Sequence, residues 1–305
     1  MMETKMDKTL PNGLVYLENV GVVVGQSHDG KILAHVGPEH VLVMGPTRCG
    51  KGVNTVIPTA LTWMGSAFFL DYKGEIWHLT SGYRKNVLGQ KVMKIDPASI
   101  DESHADEVID EAVRAFCDSD EDVSLYLSGS IKDILATKEV VRKFVDKLLQ
   151  ALLPDEHKKR KGRTLVVLDE FPQLGRLESI ETALAISAGN GIKMCLVCQD
   201  VNQLNKEYTK DNSIAANCHA HVYFTPQDEA TAEAISRILG NRTVEGDSRG
   251  ISGGTTKVMT PDEVVRMGAD KVLMLVAGYE PMMLDKFRYY MDRELSGKVT
   301  DPPQE

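Results

Sequence analysis

The sequence predicts an α/β fold, a mostly parallel sheet flanked by helices, and three observations carry that expectation. Short apolar runs alternate with helical stretches along the 305 residues, the order a parallel sheet needs because its crossovers are helices. One run leads into Gly45-Pro46-Thr47-Arg48-Cys49-Gly50-Lys51, a G-x-x-x-x-G-K loop. Another ends in two adjacent acids, Asp169 and Glu170.

In chain order the expected strands are Val41–Met44, Ala67–Leu70, Lys91–Ile95, Val123–Leu127, Thr164–Leu168, Lys193–Val197, Ala220–Phe224 and Lys271–Val276. Most are short apolar runs of the kind buried on both faces of a sheet. Ile131–Leu153 is expected to be one helix, since apolar residues at 131, 134, 135, 141, 144, 145, 148, 149 and 152 trace one face. Glu178–Ala188 and Glu229–Leu239 read as further helices. Asp155–Gly162, with the basic run Lys158-Lys159-Arg160-Lys161, and the Gly- and Ser-rich Glu245–Thr256 read as loops.

A composition of 42% hydrophobic and 26% charged residues is that of a globular chain. The longest apolar stretch, Asn54 to Leu70, is interrupted by Pro58 and is too short for a membrane span. The start, Met1 to Lys5, lacks a signal-peptide core, and five cysteines fit a reducing compartment. The net charge is −9. Ten acids against one base between Asp101 and Asp122 carry all of it, so the body is neutral. A neutral body excludes a protein that coats nucleic acid through a general basic field. Within the acidic segment, Ser99 and Glu102 read as a capping box. Ala105, Val108, Ile109, Ala112, Val113 and Phe116 then trace one helical face.

The strand–loop–helix context gives the glycine motif its chemistry. Gly45, Pro46, Thr47, Arg48, Cys49, Gly50, Lys51 and Gly52 form the candidate phosphate loop. Its amides and the helix N-terminus converge on phosphate oxygens, and Lys51 reaches the β and γ phosphates. Gly52 stands where a magnesium-binding Ser or Thr is usual, and Thr55 lies a turn further on. Asp169 is expected to hold Mg²⁺, through water, and Glu170 to polarise the attacking water. Gln199, at the end of the next apolar strand, can hydrogen-bond the γ-phosphate or the water; it also reads as an ordinary strand end. Asp71 and Glu75 could line the cleft or cap the loop. Cys195-x2-Cys198 followed by Cys218-x2-His221 mimics a zinc ribbon. Residues three apart in a strand face opposite ways, so buried core thiols are the better reading.

Gly45 to Gly52 followed by Val56-Ile57-Pro58-Thr59 resembles the type IV secretion coupling proteins, the ATPases of conjugation and effector export. The resemblance continues through Leu70-Asp71-Tyr72-Lys73-Gly74-Glu75, Asp169 to Leu177, Gln199-Asp200, Asn217-Cys218-His219, Thr260 to Val264 and Arg288-Tyr289-Tyr290. It implies one RecA-like P-loop NTPase domain over residues 1–305, with ATP and Mg²⁺ as cofactors and Gly after the lysine tolerated. It also implies a hexamer in the active state, monomeric in isolation, that passes DNA or protein substrates to a secretion channel at the cytoplasmic face of the inner membrane.

Relatives carry N-terminal membrane helices and an all-helical insertion. This chain shows no such helices, reads as soluble, and has only the acidic segment 99–122 at the insertion's position. It is expected to be either a naturally minimal member or one with that domain excised; the doubled Met1-Met2 favours excision. Arg176, Arg48 and Lys73 are candidates for a cation acting on a neighbouring subunit. Two alternative readings are a double-stranded DNA translocase of the segregation or packaging type, and a docking receptor whose nucleotide site is structural.

Overall fold

The computed structural model describes residues 14–16, 21–153, 162–244 and 254–304. The basic run 158–161 and residues 245–253 of the Gly- and Ser-rich stretch lie outside the described residues.

Strands β1 (Leu14–Tyr16), β2 (Val22–Gln26) and β3 (Ile32–His35) open the chain. The central strands are β4 (His40–Met44), β5 (Ala67–Asp71), β6 (Lys91–Ile95), β7 (Val123–Ser128), β8 (Thr164–Leu168), β9 (Ile192–Cys198) and β10 (Cys218–Phe224). A separate two-stranded ribbon, β11 (Asn241–Val244) and β12 (Gly254–Lys257), precedes β13 (Lys271–Val276) and β14 (Met282–Asp285). The main sheet runs β1-β3-β2-β14-β13-β10-β4-β9-β8-β5-β7-β6. From β10 to β6 every pair is parallel, and from β13 to β1 every pair is antiparallel. All eight expected strands are present. The antiparallel extension through β14, β2, β3 and β1 was not expected, and β12 takes residues 254–256 out of the expected loop.

Helices cover both faces of the sheet. On one side lie α1 (Ile57–Thr62), α2 (Glu75–Asn86) and, near the C-terminus, α11 (Arg293–Gly297). On the other lie α3 (Ala105–Cys117), α4 (Ile131–Ala136), α5 (Lys138–Leu152), α6 (Glu178–Ile186), α7 (Val201–Tyr208), α8 (Ile214–Asn217), α9 (Glu229–Leu239) and α10 (Pro261–Val265). Two apolar layers result. Leu42, Phe68, Leu125, Val166 and Leu196 face the α5 side, while Val41, Phe69, Tyr126, Val167 and Cys195 face the α1 side. This alternation explains why the strands read as continuous apolar runs.

The expected helix 131–153 is two helices. Thr137 leaves helical geometry at φ −103, ψ 25, and its hydroxyl donates to the Asp133 carbonyl at 2.8 Å. The apolar stripe keeps its phase across the break, so periodicity alone joins the two pieces. The Ser99–Glu102 capping box is absent. Ser99 Oγ donates to the Asp96 carbonyl, and the caps are Asp96 and Asp101, accepting from the amides of Ala98 and Ser103. Helix α3 does bury Ala105, Ile109, Ala112, Val113 and Phe116. Its Asp106 and Asp110 accept from Lys143 and Lys147 of α5, so part of the acidic surplus is matched locally.

Arg84 fixes the helix behind the phosphate loop. It is fully buried on α2. Its Nε donates to Ser124 Oγ, and its two terminal nitrogens donate to the carbonyls of Ala60, Trp63 and Gly65 at 2.6–2.9 Å. These carbonyls lie at and just beyond the C-terminal end of α1, where helix dipoles favour a cation. Arg84→Ala is expected to cost about 3 kcal/mol or more in urea unfolding, because several buried acceptors lose their donor. Arg84→Lys should recover little of it, since an ammonium cannot span the same four acceptors.

Candidate nucleotide site

The loop from Gly45 to Gly52 crosses the C-terminal end of β4, between β10 and β9. The Gly45 amide donates to the Cys198 carbonyl at 3.3 Å, anchoring the loop to β9. A Cβ on Gly45 would lie 2.5 Å from Phe224 Cβ and 2.8 Å from Cys49 Sγ, so close packing demands glycine there. Gly50 is needed for its backbone, at φ +100. At Gly50 and Gly52 nothing lies within 4 Å of where a Cβ would sit. That open space beside the loop backbone leaves room that a phosphate group can occupy. Lys51 is buried and folded back, its Nζ donating to the carbonyls of Gly45 at 2.6 Å and Pro46 at 3.2 Å.

The helix after the loop begins with a π-turn, Gly52–Val56, that runs into α1. Thr55 is fully buried there and accepts from Asn54 Nδ2 at 2.9 Å. Its hydroxyl faces the protein interior and does not replace the one missing at Gly52.

The acid pair stands across the cleft at the end of β8. Glu170 adopts the left-handed conformation, φ 48 and ψ 36, which costs a non-glycine residue roughly 1–2 kcal/mol. That turn aims its carboxylate back at the loop. Glu170 Oε1 is 3.6 Å from Lys51 Nζ, and Oε2 accepts from Gln199 Nε2 at 3.0 Å. Gln199 Oε1 in turn accepts from Thr47 Oγ1 at 3.4 Å. One ion pair and two hydrogen bonds therefore join the loop, through Lys51 and Thr47, to Glu170 and Gln199. Strand β9 lies between β4 and β8, which is what places Gln199 between loop and acid pair.

Asp169 is half-buried. Burial, then the charge of Glu170, pushes its carboxyl up to about 7, while Lys51 pulls the other way. A carboxyl held in this state gains from a nearby cation, so the donor set fits Mg²⁺. The sign for stability follows: the native state keeps a proton that the unfolded chain releases near its ordinary value of 3.8. Asp169 therefore favours folding fully below that value and loses the contribution as pH rises through about 7. Asp169→Asn is expected to raise the thermal midpoint of the nucleotide-free protein at pH 8 by a few degrees. The same change should cut Mg²⁺-dependent phosphate release by ~100-fold or more.

Several residues of the site escaped the sequence reading. Tyr72, just past β5, has a buried hydroxyl with no hydrogen-bond partner, and burial together with the charges of Asp169 and Glu170 raises its pKa. On the other flank an open cleft of about 1130 Å³ runs from the loop to residues 225–227, 265–270 and 286–290. Lys286 Nζ donates to the Cys49 carbonyl at 2.8 Å, and the Phe287 amide donates to Asn54 Oδ1 at 2.7 Å. The C-terminal wall of the cleft is thus fastened to the phosphate loop. A tyrosine at a strand tip was the one visible hint; the other contacts join residues more than 230 positions apart.

The remaining candidates separate cleanly. Asp71 caps the turn after β5, accepting from the amides of Lys73 and Trp77 and from Ser128 Oγ. Glu75 is exposed. Arg176 pairs with Glu181 on the surface, Arg48 lies exposed on the loop at φ +62, and Lys73 is exposed beyond β5. Cys195 and Cys198 belong to opposite apolar layers, and His221 bonds to Tyr223 and the carbonyls of Ala215 and Cys218. The zinc-ribbon pattern is therefore not assembled.

A phosphate loop facing a strand-end acid pair across an intervening strand defines a RecA-like P-loop NTPase fold. The chain belongs to the family described as type IV secretory system conjugative DNA transfer, which it matches over residues 3–114 and 112–304. It is 27% identical to the conjugal transfer protein TraG of Escherichia coli, over 92% of this chain and 72% of TraG. It is 24% identical to VirD4 of Agrobacterium fabrum, over 90% of this chain and 62% of VirD4. The plasmid coupling protein TrwB, solved with the ATP analogue ADPNP, shares the fold at a TM-score of 0.67 and 14% identity, covering 89% of this chain and 90% of TrwB. Among the described residues no helix is long and apolar enough to cross a membrane.

Proposed function

We propose that this chain is the ATP-hydrolysing motor of a type IV secretion coupling protein, using Mg²⁺-ATP to move DNA or protein substrates toward a secretion channel. The observation that carries the reading is the linked group Lys51–Glu170–Gln199–Thr47 at a phosphate loop with open space beside it. Family membership supports the coupling role, and TrwB, of the same fold, was solved with ADP and Mg²⁺.

The chemistry follows from positions. On nucleotide binding Lys51 exchanges its two loop carbonyls for phosphate oxygens, which releases Glu170 Oε1 from its attraction. Glu170 then takes the proton of the attacking water, while Gln199 holds that water or the γ-phosphate and registers its departure. Mg²⁺, held near Asp169, would neutralise phosphate charge as the bond breaks. A cation from a neighbouring subunit completes charge stabilisation, with Arg176, Arg48 and Lys73 exposed for the purpose. Assembly into a hexamer at the inner membrane accompanies this reading.

We place at the acidic segment 99–122 the all-helical insertion that the family resemblance implies for relatives. The family match falls in two stretches that meet at residues 112–114, inside α3, and the TraG alignment runs over 463 positions although this chain has 305 residues. Phosphate release measured with and without DNA tests the function. Stimulation by DNA supports the motor. Tight ATP binding with no phosphate release, even with DNA and at high protein concentration, argues for a docking receptor.

A further inference from the structure

The N-terminal ends of the parallel strands, away from the nucleotide site, hold a second cluster of chemistry. His35 ends β3, Glu39 stands in the turn to β4, and His219 is the second residue of β10. His219 lies at a register irregularity between Cys218 and Ala220, where β10 departs from regular pairing with β4. A bulge of this kind re-aims a side chain. The His219 ring lies 5.9 Å from that of His35, centroid to centroid, at 47°. His35 Nε2 is 3.9 Å from Glu39 Oε2. One donor atom from each of His35, Glu39 and His219 lies within 4.8 Å of the other two. His219 Nδ1 is buried and has no hydrogen-bond partner in the protein.

We propose that His35, Glu39 and His219 form a zinc site that staples the β3–β4 turn to the start of β10. Two imidazoles and one carboxylate are a donor set suited to zinc, with a fourth position left for water. Ligands at zinc bond lengths of about 2.0–2.1 Å sit roughly 3.3 Å apart, so the three must draw together by an ångström or so. Glu39 can supply that movement. Its side chain is 41% exposed, in the turn, which also gives the ion a path from solvent.

Lys193 fits the same arrangement. It is buried on β9, and its three donors are used by His35 Nδ1 at 2.8 Å and by the carbonyls of Gly37 and Glu39 at 2.7 Å. With Nδ1 accepting, the ring proton of neutral His35 sits on Nε2, toward Glu39. Zinc replaces that proton on Nε2, which leaves to solvent, while Lys193 goes on holding the ring through Nδ1 and the turn through the two carbonyls.

The test is a titration of the chelator-stripped full chain with zinc alone, without nucleotide. One equivalent is expected to bind with a Kd at or below the micromolar range, to raise the thermal midpoint, and to release protons. Glu39→Gln and His219→Gln should each weaken that binding at least about tenfold. Glu39→Gln changes a half-exposed side chain and keeps the test valid should His219→Gln fail to fold. No binding below about 100 μM, or equal binding by wild type and Glu39→Gln, overturns the proposal.

Discussion

Glu170→Gln is expected to bind ATP and fail to cleave it. Glutamine keeps the size of the side chain and can still meet Gln199, so the left-handed turn at 170 and the loop geometry persist. What disappears is the group that takes the proton from water, which contributes about 10²- to 10⁴-fold to rate in comparable sites. Turnover should fall by that factor with nucleotide affinity nearly unchanged. Trapped ATP, counted after rapid filtration and set against phosphate release, gives both quantities. Turnover close to wild type would remove Glu170 from its assigned role.

Lys51→Ala has the other large effect, and it acts on two levels. For binding, the variant loses charge-assisted hydrogen bonds to phosphate, each worth about 1.5–3 kcal/mol. ATP affinity should therefore drop at least ~100-fold. For folding, Glu170 is left buried at 7% exposure without its nearest cation. Stranding one member of a buried pair costs up to several kcal/mol, so the nucleotide-free variant should also unfold earlier in urea. Titration calorimetry and urea unfolding on the same sample separate the two losses. Unchanged affinity for ATP would show that the loop does not hold phosphate.

Much of this site is legible in the sequence because its parts sit at strand ends. A strand end is marked by where an apolar run stops, and Met44, Leu168 and Cys198 mark three neighbouring strands, β4, β8 and β9. The residues that follow them must share one edge of the sheet, so Lys51, Glu170 and Gln199 could be grouped before any coordinate was known. The phosphate loop was readable for a further reason: glycines at 45 and 50 answer a close approach to Phe224 and a positive φ.

Contacts made through tertiary packing left no such trace. Lys286 and Asn54 hold the cleft wall to the loop by bonds to a carbonyl and an amide, which any sequence supplies at every residue. The antiparallel extension was not expected because its strands span only three to five residues, and one of them, β2, is broken by Gly25 where it slips register against β3. The acidic helix shows the intermediate case. Its buried face was readable from spacing, but its approach was not, since Asp96 and Asp101 cap two short turns ahead of it through the amides of Ala98 and Ser103, and the Ser99 amide donates to the Asp96 carbonyl.

The claim on which the account turns is that the Lys51–Glu170–Gln199 group hydrolyses ATP. Its most direct test is steady-state phosphate release from Mg²⁺-ATP as the protein is concentrated with DNA present, wild type beside Glu170→Gln. The account predicts release that rises faster than protein concentration, as subunits complete one another's sites, and that vanishes in the variant. Tight ATP binding with no release at any concentration, or equal release from both proteins, would contradict it.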